Sequence, residues 1–530
     1  MKKSMEYSNT YRRIKRGNLI ILLALLFIIF SSVTLIKLVI ASYNIECIDA
    51  RPGIYIIYFD SISNIEINVT YNSLHKYTQI PMINVTLQII NGSKKWWGVF
   101  SSVDRSFISG NIRGWRKFPL WMPRFLKMRN ELEIYDSIFE IEDHGNYILA
   151  FNGTVFMKYD KFSGALIEGV IIINGLKFHV KIKETNMNVR RNEFAKLYYD
   201  WYNLTRILIK LNESYSSILK VYSIGKSCLG RDIWVCEFPA RKGKEGVVIV
   251  DGGMHGSEVI GVNSALYVIM RVIKDYYELK ELDNITLIVI PMLNPDGVEA
   301  SKILPSKPPL MLKYARCNAR GVDLNRNFKW SWKEGGSSEF EHPTFRGENP
   351  ETEPEVNSLL KLFINRRVLF YINLHSGIDA ILIPGYNLNP YRSLYREEIA
   401  YSIARIFGYS IRKGAIYGGA ANWIIFKYNY TAFSIIIELY GNPNMIKKDW
   451  FYFYNPSNKA LINKICDNTY YAVKYVLSNV YKWIENIERG ELRAHEFINY
   501  NYIIIITILI IIIIVLIMYL MFFRKVVKST

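Results

Sequence analysis

The chain has 530 residues, and half of them are hydrophobic, which excludes a largely disordered protein and predicts more than one folded unit. The formal net charge is +19, but many of the lysines and arginines lie singly between apolar residues, and the sequence shows no basic stripe or nucleic-acid-binding motif. We therefore expect no nucleic-acid partner.

The chain begins with a basic segment that is followed by a long apolar run. Residues 19–36, LIILLALLFIIFSSVTLI, carry no charge, and the apolar character resumes after Lys37 as far as Ala41. Such a run is long enough to cross a hydrocarbon core of ~30 Å. We predict a cytoplasmic basic tail over residues 1–17 and an uncleaved transmembrane helix over residues 18–41. A cleaved signal peptide is the alternative.

A second apolar run lies near the other end of the chain. Residues 502–523 are uncharged and precede Arg524, Lys525 and Lys528. This pattern predicts a second transmembrane helix over residues 502–523 and a cytoplasmic basic tail over residues 524–530. Because positively charged flanks stay inside, we expect both termini in the cytoplasm and the region between the helices outside the cell membrane.

Potential glycosylation sites agree with this topology. All of the N-x-S/T sequons lie between the two apolar runs. They begin at Asn68, Asn84, Asn91, Asn152, Asn203, Asn212, Asn284 and Asn429. The location of the sequons supports an extracytoplasmic position for this region.

Residues 45–185 contain short runs of alternating or apolar residues. Examples are GIYIIYF, IEINVTY and INVTLQII, and turn signals such as Asn152-Gly153 separate the runs. This pattern predicts a β-rich, sandwich-like extracytoplasmic domain. The segment contains no catalytic constellation.

Residues 190–485 follow a different pattern, in which apolar strands alternate with helices. The predicted strands are GVVIVD, ITLIVIPML, VLFYINL and AFSIIIEL, and the predicted helices cover residues 258–277, 353–366, 390–407 and 456–485. The alternation predicts an α/β domain with a mixed, mostly parallel sheet and helices on both faces. Ligands of such sheets bind beyond the carboxyl ends of the strands. His255, Asn294, His375 and Glu438 all lie at or just after strand ends.

The stretch GGMHGSE places His255 and Glu258 three residues apart directly after a strand. An imidazole and a carboxylate are suitable zinc ligands, and a catalytic zinc site needs three protein ligands and an open position. His375, in FYINLHSG, is the candidate third ligand. The alternative for Glu258 is an acidic residue that the helix dipole favours. Glu438 lies in a strand so apolar that a carboxylate there suggests a general base.

Several ordered motifs resemble those of the zinc carboxypeptidase family typified by pancreatic carboxypeptidase A. They are HGSE, GVDLNRNF, NLHSG, YGGAANW and IIIEL, and the resemblance covers residues 220–485. It implies a zinc carboxypeptidase-like fold and one Zn²⁺ per chain, bound by His255, Glu258 and His375. Peptide or protein C-termini would be the substrate.

The resemblance also implies roles for the polar residues of the segment ARCNARGVDLNRNF. Asp323 would orient the first of the zinc-binding histidines. Asn325 and Arg326 would bind the terminal carboxylate of the substrate, Arg326 through two parallel hydrogen bonds. Arg316 would polarise the scissile carbonyl and stabilise the oxyanion. Arg320 is a nearby competitor for that last role.

Three further roles follow from the resemblance. Glu438 would take a proton from the attacking water and pass it to the leaving amine, and Tyr417 would close over the bound substrate. Ala421 corresponds to a position that lines the specificity pocket, and a small neutral residue there favours apolar or aromatic terminal residues. The chain departs from the family at Asn422, where an acidic residue is usual, and at Tyr440, where arginine is frequent.

The sequence as a whole predicts a membrane-anchored, zinc-dependent metallocarboxypeptidase that hydrolyses the C-terminal peptide bond of extracytoplasmic peptides or proteins. Two alternatives remain open. One is a catalytically decayed peptide-binding protein, and the other is an amidase of the same fold that acts on non-peptide acyl substrates.

Overall fold

The computed structural model describes residues 54–486 with short gaps, together with residues 489 and 513. The gaps are residues 61, 75–81, 91, 102–104, 106, 114, 116, 118, 122–130, 135–136, 145, 154, 244–245, 307–309, 386–389 and 429–431.

The first unit is an antiparallel sheet of eleven strands in the order β5-β4-β3-β2-β1-β11-β10-β9-β8-β7-β6. The strands are β1 (Tyr55–Asp60), β2 (Ile65–Leu74), β3 (Met82–Ile89), β4 (Lys95–Ser101), β5 (Phe107–Gly110), β6 (Glu131–Ile134), β7 (Ser137–Asp143), β8 (Tyr147–Phe151), β9 (Phe156–Asp160), β10 (Leu166–Ile173) and β11 (Leu176–Thr185). Two meanders, β1–β5 and β6–β11, therefore meet where the first strand pairs with the last. The strands form one hydrogen-bonded sheet, whereas the sequence suggested the two sheets of a sandwich.

The connection between β5 and β6 has to cross this sheet, because the two strands lie at opposite edges. The described residues around Pro119 lie on the buried side, where the Tyr159 hydroxyl donates to the Pro119 carbonyl at 2.7 Å. Leu166 donates its amide to the Leu120 carbonyl at 2.9 Å. The crossing segment thus helps to cover the apolar face that the alternating sequence pattern requires.

The second unit is a mixed sheet of eight strands in the order β12-β13-β15-β14-β16-β19-β17-β18. The strands are β12 (Lys220–Lys226), β13 (Asp232–Phe238), β14 (Gly246–Asp251), β15 (Ile285–Ile290), β16 (Val368–His375), β17 (Asp379–Pro384), β18 (Ser410–Gly414) and β19 (Phe433–Leu439). The four central strands are parallel and almost entirely buried. This confirms the predicted mixed sheet.

Helices cover both faces of this sheet, since alternate residues of β14 belong to different cores. Val248 and Val250 pack in one core and Ile249 in the other. The α-helices are Arg191–Lys196, Trp201–Ser214, Val259–Lys274, Pro295–Ser301, Leu310–Arg316, Pro354–Lys361, Pro390–Phe407, Ala420–Lys427, Trp450–Tyr454 and residues 459–486. Short 3₁₀ helices are Lys280–Asp283, Leu324–Arg326, Trp332–Glu334 and Pro443–Met445.

A further correction to the predicted fold concerns the two transmembrane helices. In the part of the chain that the structure describes, no helix combines the length and the apolar character of a membrane span. The long helix over residues 459–486, for example, carries Lys464, Asp467 and Lys474 among its apolar residues, whereas a span needs about 20 predominantly apolar residues. The two predicted spans are therefore not supported. Apart from Ile513, their segments lie outside the described residues.

Candidate active site

The carboxyl ends of neighbouring strands bring the predicted catalytic residues together. His375 is the last residue of β16, and it lies opposite Glu438 of the parallel strand β19. β14 ends at Asp251, and a glycine-rich loop follows it. His255 lies in this loop, and Glu258 is the last residue before the helix Val259–Lys274. Gly256 is required in this loop, because a Cβ atom there would lie 2.0 Å from the backbone of Gly297.

Three side chains converge on one point with their ligand atoms within 4.8 Å of one another: His255, Glu258 and His375. His255 Nδ1 lies 2.8 Å from Glu258 Oε1. His375 Nδ1 lies 2.8 Å from Glu258 Oε2 and 3.1 Å from His255 Nδ1. Two imidazole nitrogens and a carboxylate form the His₂Glu donor set of catalytic zinc sites. The residues present therefore fit zinc.

The other nitrogen of each imidazole ring is held by a neighbouring acceptor. His255 Nε2 lies 3.0 Å from Asp323 Oδ1, and His375 Nε2 lies 2.6 Å from Asn373 Oδ1. The Asn325 amide nitrogen also approaches His375 Nε2, at 3.2 Å, but the 2.6 Å contact with Asn373 Oδ1 is shorter and therefore decides the tautomer. The two acceptors thus place the ring proton on Nε2, so that the lone pair of Nδ1 is free for a metal. Asp323 thus lies beside His255, the ring that the resemblance implied it would orient, and this role stays a prediction.

The charges of the site favour an ionised ligand set. Burial alone would raise the pKa of Glu258, but His255 and His375 hold it far below its ordinary value. Burial also opposes ionisation of Asp323, yet Arg316 and His255 keep its pKa well below the ordinary value. Both carboxylates are therefore charged at neutral pH, as a site for a divalent cation requires.

The structure places Arg316 in the site and directs Arg320 elsewhere. Arg316 Nε and Nη2 lie 3.0 and 2.9 Å from Asp323 Oδ2, and Nη1 lies 3.5 Å from Glu258 Oε1. Arg320 Nη1 instead lies 3.7 Å from Glu353 Oε2. Of the two candidates for oxyanion stabilisation, only Arg316 lines the cavity among the described residues.

Asn325 and Arg326 lie on the short helix Leu324–Arg326 beside the metal ligands. Asn325 Oδ1 accepts a hydrogen bond from the backbone amide of Ala420 at 3.0 Å, which turns the amide nitrogen of Asn325 toward His375. Arg326 Nη1 donates to the Asn325 carbonyl at 2.7 Å. Both side chains line the same cavity as the metal ligands.

This cavity has a volume of about 270 Å³. Its lining residues are His255, Glu258, Arg316, Asn325, Arg326, His375, Ser376, Gly377, Ile378, Ile416, Ile436, Glu438, Phe453 and Tyr454. The lining combines charged and polar side chains with three isoleucines.

Two predicted substrate-binding residues are not among the described residues that line this cavity. Tyr417 is 44% exposed and stacks on Trp330 with ring centroids 5.5 Å apart, so its closure over a substrate stays a prediction. Ala421 is buried, its carbonyl accepts the Ser434 hydroxyl, and it is not among the described residues that line the cavity. The resemblance implied that Ala421 lines the specificity pocket, whereas Ile416 and Ile436 are the apolar residues found in the lining.

Sequence reasoning missed several residues around the site. Tyr454 lines the cavity, and its ring would lie 3.2 Å from a Cβ atom at Gly377. The backbone amide of Ser376 donates to Glu258 Oε2 at 3.0 Å. Tyr454 lies in an aromatic run without a motif. Asn373 was missed as well, although the sequence contained a signal for it. It lies two residues before His375, and residues two apart in a strand point to the same side of the sheet.

Comparison with known proteins places these features in context. The family model described as zinc carboxypeptidase matches residues 204–470. Carboxypeptidase D of Drosophila melanogaster is 32% identical over 190 residues, which cover 34% of this chain and 12% of that protein. Human carboxypeptidase A6 is 25% identical over 281 residues, which cover 51% of this chain and 62% of that protein. The chain thus spans less than two thirds of the length of these relatives.

A solved structure of bovine thrombin-activatable fibrinolysis inhibitor in complex with tick carboxypeptidase inhibitor is also similar. Its TM-score is 0.44 at 24% sequence identity, and the match covers 55% of this chain and 99% of that chain. The family assignment depends on the family model and not on this likeness.

Proposed function

The chain belongs to the zinc carboxypeptidase family, and from this premise we propose that it hydrolyses the C-terminal peptide bond of peptides or proteins that end in a free carboxylate. One observation carries the proposal. The metal-ligand triad, Glu438 and the pair Asn325 and Arg326 line a single cavity. Removal of a C-terminal residue needs three components: a metal centre, a proton acceptor and a pair of residues that binds the terminal carboxylate.

Zinc would be held by His255, Glu258 and His375, and when bound it supplies a Lewis acid that polarises a carbonyl and lowers the pKa of water. The protein's own groups do the remaining work. Arg326 and Asn325 bind the substrate's terminal carboxylate, and a guanidinium fork suits that planar anion. Arg316 places positive charge beside the carbonyl oxygen of the scissile bond, which becomes negative in the transition state. Glu438 accepts a proton from the attacking water and donates it to the leaving amine.

Loss of one ligand should remove metal and activity together. We expect the purified protein to carry about one zinc per chain, because its donor set matches a mononuclear catalytic site. His375→Ala should lose most of its zinc and nearly all peptidase activity. Metal content by elemental analysis and peptide release are the measurements. His144→Ala, which changes an exposed histidine of the first sheet, is the matched control and should retain both. A chelated, zinc-free sample with full activity would contradict the proposal.

The apolar wall of the cavity predicts which C-terminal residues are removed. Ile378, Ile416 and Ile436 offer no counter-charge, so peptides that end in Phe or Leu should be cleaved in preference to those that end in Lys or Arg. Ile416→Asp, at a half-buried position, should shift the ratio of kcat/KM values toward basic residues by about tenfold, which corresponds to ~1.4 kcal/mol. A preference of the unmodified protein for basic ends would refute this assignment.

We also propose that residues 54–486 act in an extracytoplasmic compartment, as the distribution of sequons suggests. Asn152, Asn203 and Asn284 are exposed, which supports their use as glycosylation acceptors. The hairpin turn at Gly153 is open, because a Cβ atom added there would meet nothing within 4 Å, so an epitope tag fits at this turn. Antibody should detect this tag without permeabilisation, either on intact cells or in the medium around them. Labelling only after permeabilisation would contradict the location.

A further inference from the structure

A chain of buried hydrogen bonds runs from His375 to a carboxylate that has no role so far. His375 Nε2 lies 2.6 Å from Asn373 Oδ1, and Asn373 Nδ2 donates to Asp251 Oδ1 at 2.7 Å. Asn373 and Asp251 are fully buried. The sheet itself builds this contact, since Asp251 lies opposite Asn373 in the parallel pair β14–β16.

The direction of these hydrogen bonds is fixed by the carboxylate. An ionised carboxylate only accepts hydrogen bonds, so Asn373 must turn its NH₂ group toward Asp251. Its carbonyl oxygen then faces His375 and requires a proton on Nε2. The lone pair of His375 is thereby left on Nδ1, which faces Glu258 Oε2 at 2.8 Å.

We propose that Asp251 is a positioning residue of the metal centre, which sets the tautomer and ring orientation of His375 through the amide of Asn373. This inference rests on the proposed metal site. His255 receives the same support directly from Asp323, at 3.0 Å. The two histidine ligands are thus held by carboxylates at different distances, one direct and one through an amide.

The environment of Asp251 argues against a purely structural role. Burial raises the pKa of this carboxyl to about 6, and the Asn373 amide and the nearby Tyr371 hydroxyl only partly oppose that rise. Among the described residues, its Oδ2 atom has no hydrogen bond of normal geometry. A buried carboxylate with an incompletely satisfied oxygen is costly for folding. Such a group is expected where function requires it.

An exchange of the two side chains tests the proposal. Asn373→Asp alone puts two carboxylates in contact, and Asn373→Ala removes the acceptor of His375. Both should accelerate zinc release to a chelator by about 10- to 100-fold, the usual scale for loss of a partner of a metal-bound histidine. The double variant Asp251→Asn with Asn373→Asp restores one carboxylate and one amide in reverse order. Its zinc release should return to within about threefold of the unmodified rate, since the hydrogen bonds between His375, residue 373 and residue 251 are preserved.

A second readout follows the proton itself. In zinc-loaded protein labelled with ¹⁵N-histidine, the Nε2–H signal of His375 should be protected from solvent exchange. It should exchange faster in Asn373→Ala and in Asp251→Ala, and it should be protected again in the double variant. Neither readout uses peptide hydrolysis, so an inactive but zinc-loaded protein would refute the proposed function without affecting this inference.

Asn263→Ala is the matched control. The buried Asn263 amide donates to the Leu197 carbonyl and takes no part in the hydrogen bonds that link His375, Asn373 and Asp251. It should lower the melting temperature without changing zinc release. The proposal is overturned if Asp251→Ala behaves like this control, or if the double variant releases zinc as fast as Asn373→Asp.

Discussion

Glu438→Gln is expected to lower turnover by ~10² or more while the zinc content stays unchanged, because it removes a general base without touching a metal ligand. Glu438 lines the cavity and lies opposite His375 in the sheet, so the amide should occupy the same space. Steady-state kinetics and metal analysis on the same sample are the measurements. Glu334→Gln, on the exposed surface, is the control and should keep full turnover.

The pH dependence gives this prediction a second test. Burial, together with the charge of Glu258, raises the pKa of Glu438 to about 7. A base works only when deprotonated, so activity should fall as the pH drops through this pKa. Bound zinc adds positive charge and lowers that pKa, so the fall should lie below pH ~7. Glu438→Gln should lack this acid limb. Near-normal turnover, or an unchanged acid limb, would assign the proton transfer to another group.

Arg326→Ala is expected to abolish the preference for a free C-terminus. A guanidinium binds a terminal carboxylate through charge-assisted hydrogen bonds, each worth about 1.5–3 kcal/mol. The unmodified protein should therefore cleave a free peptide at least ~10²-fold faster than its C-terminally amidated form. In Arg326→Ala the two rates should become similar, chiefly through loss of the free peptide's advantage. Arg326→Lys should recover little, because an ammonium group lacks the planar fork.

The control for this experiment is Arg405→Ala, at an exposed position on the helix Pro390–Phe407. It should keep the preference and the zinc content. Equal cleavage of free and amidated peptides by the unmodified protein would show that it is not a carboxypeptidase. That outcome would favour an amidase, and absence of hydrolysis in zinc-loaded protein would favour a peptide-binding protein.

The metal centre could be predicted from sequence because the fold makes strand ends meet. Apolar runs located β14, β16 and β19, and each polar residue at the end of such a run belongs to one edge of the sheet. The prediction that His255, His375 and Glu438 lie together therefore required no information about side-chain packing. The motif order then identified the family, which the family model confirms.

Features that depend on pairing or on packing could not be predicted in this way. The alternation of apolar and polar residues shows which side of a strand is buried, but it does not show which strand pairs with which. For this reason the single eleven-stranded sheet was interpreted as a sandwich. The contact of Asp251 with Asn373 depends on the alignment of β14 with β16. Tyr417 is exposed and stacks on Trp330, and nothing in the local sequence specifies that contact.

The pairing of β1 with β11 has a consequence for the history of the chain. Ile56, near the start of the eleven-stranded sheet, lies opposite Thr185, near its end. Opposed residues of antiparallel strands are only about 5 Å apart, so the path enters and leaves this unit at one place. A unit with adjacent ends is a portable module, which can be gained, lost or exchanged through a single junction without redirecting the chain that follows.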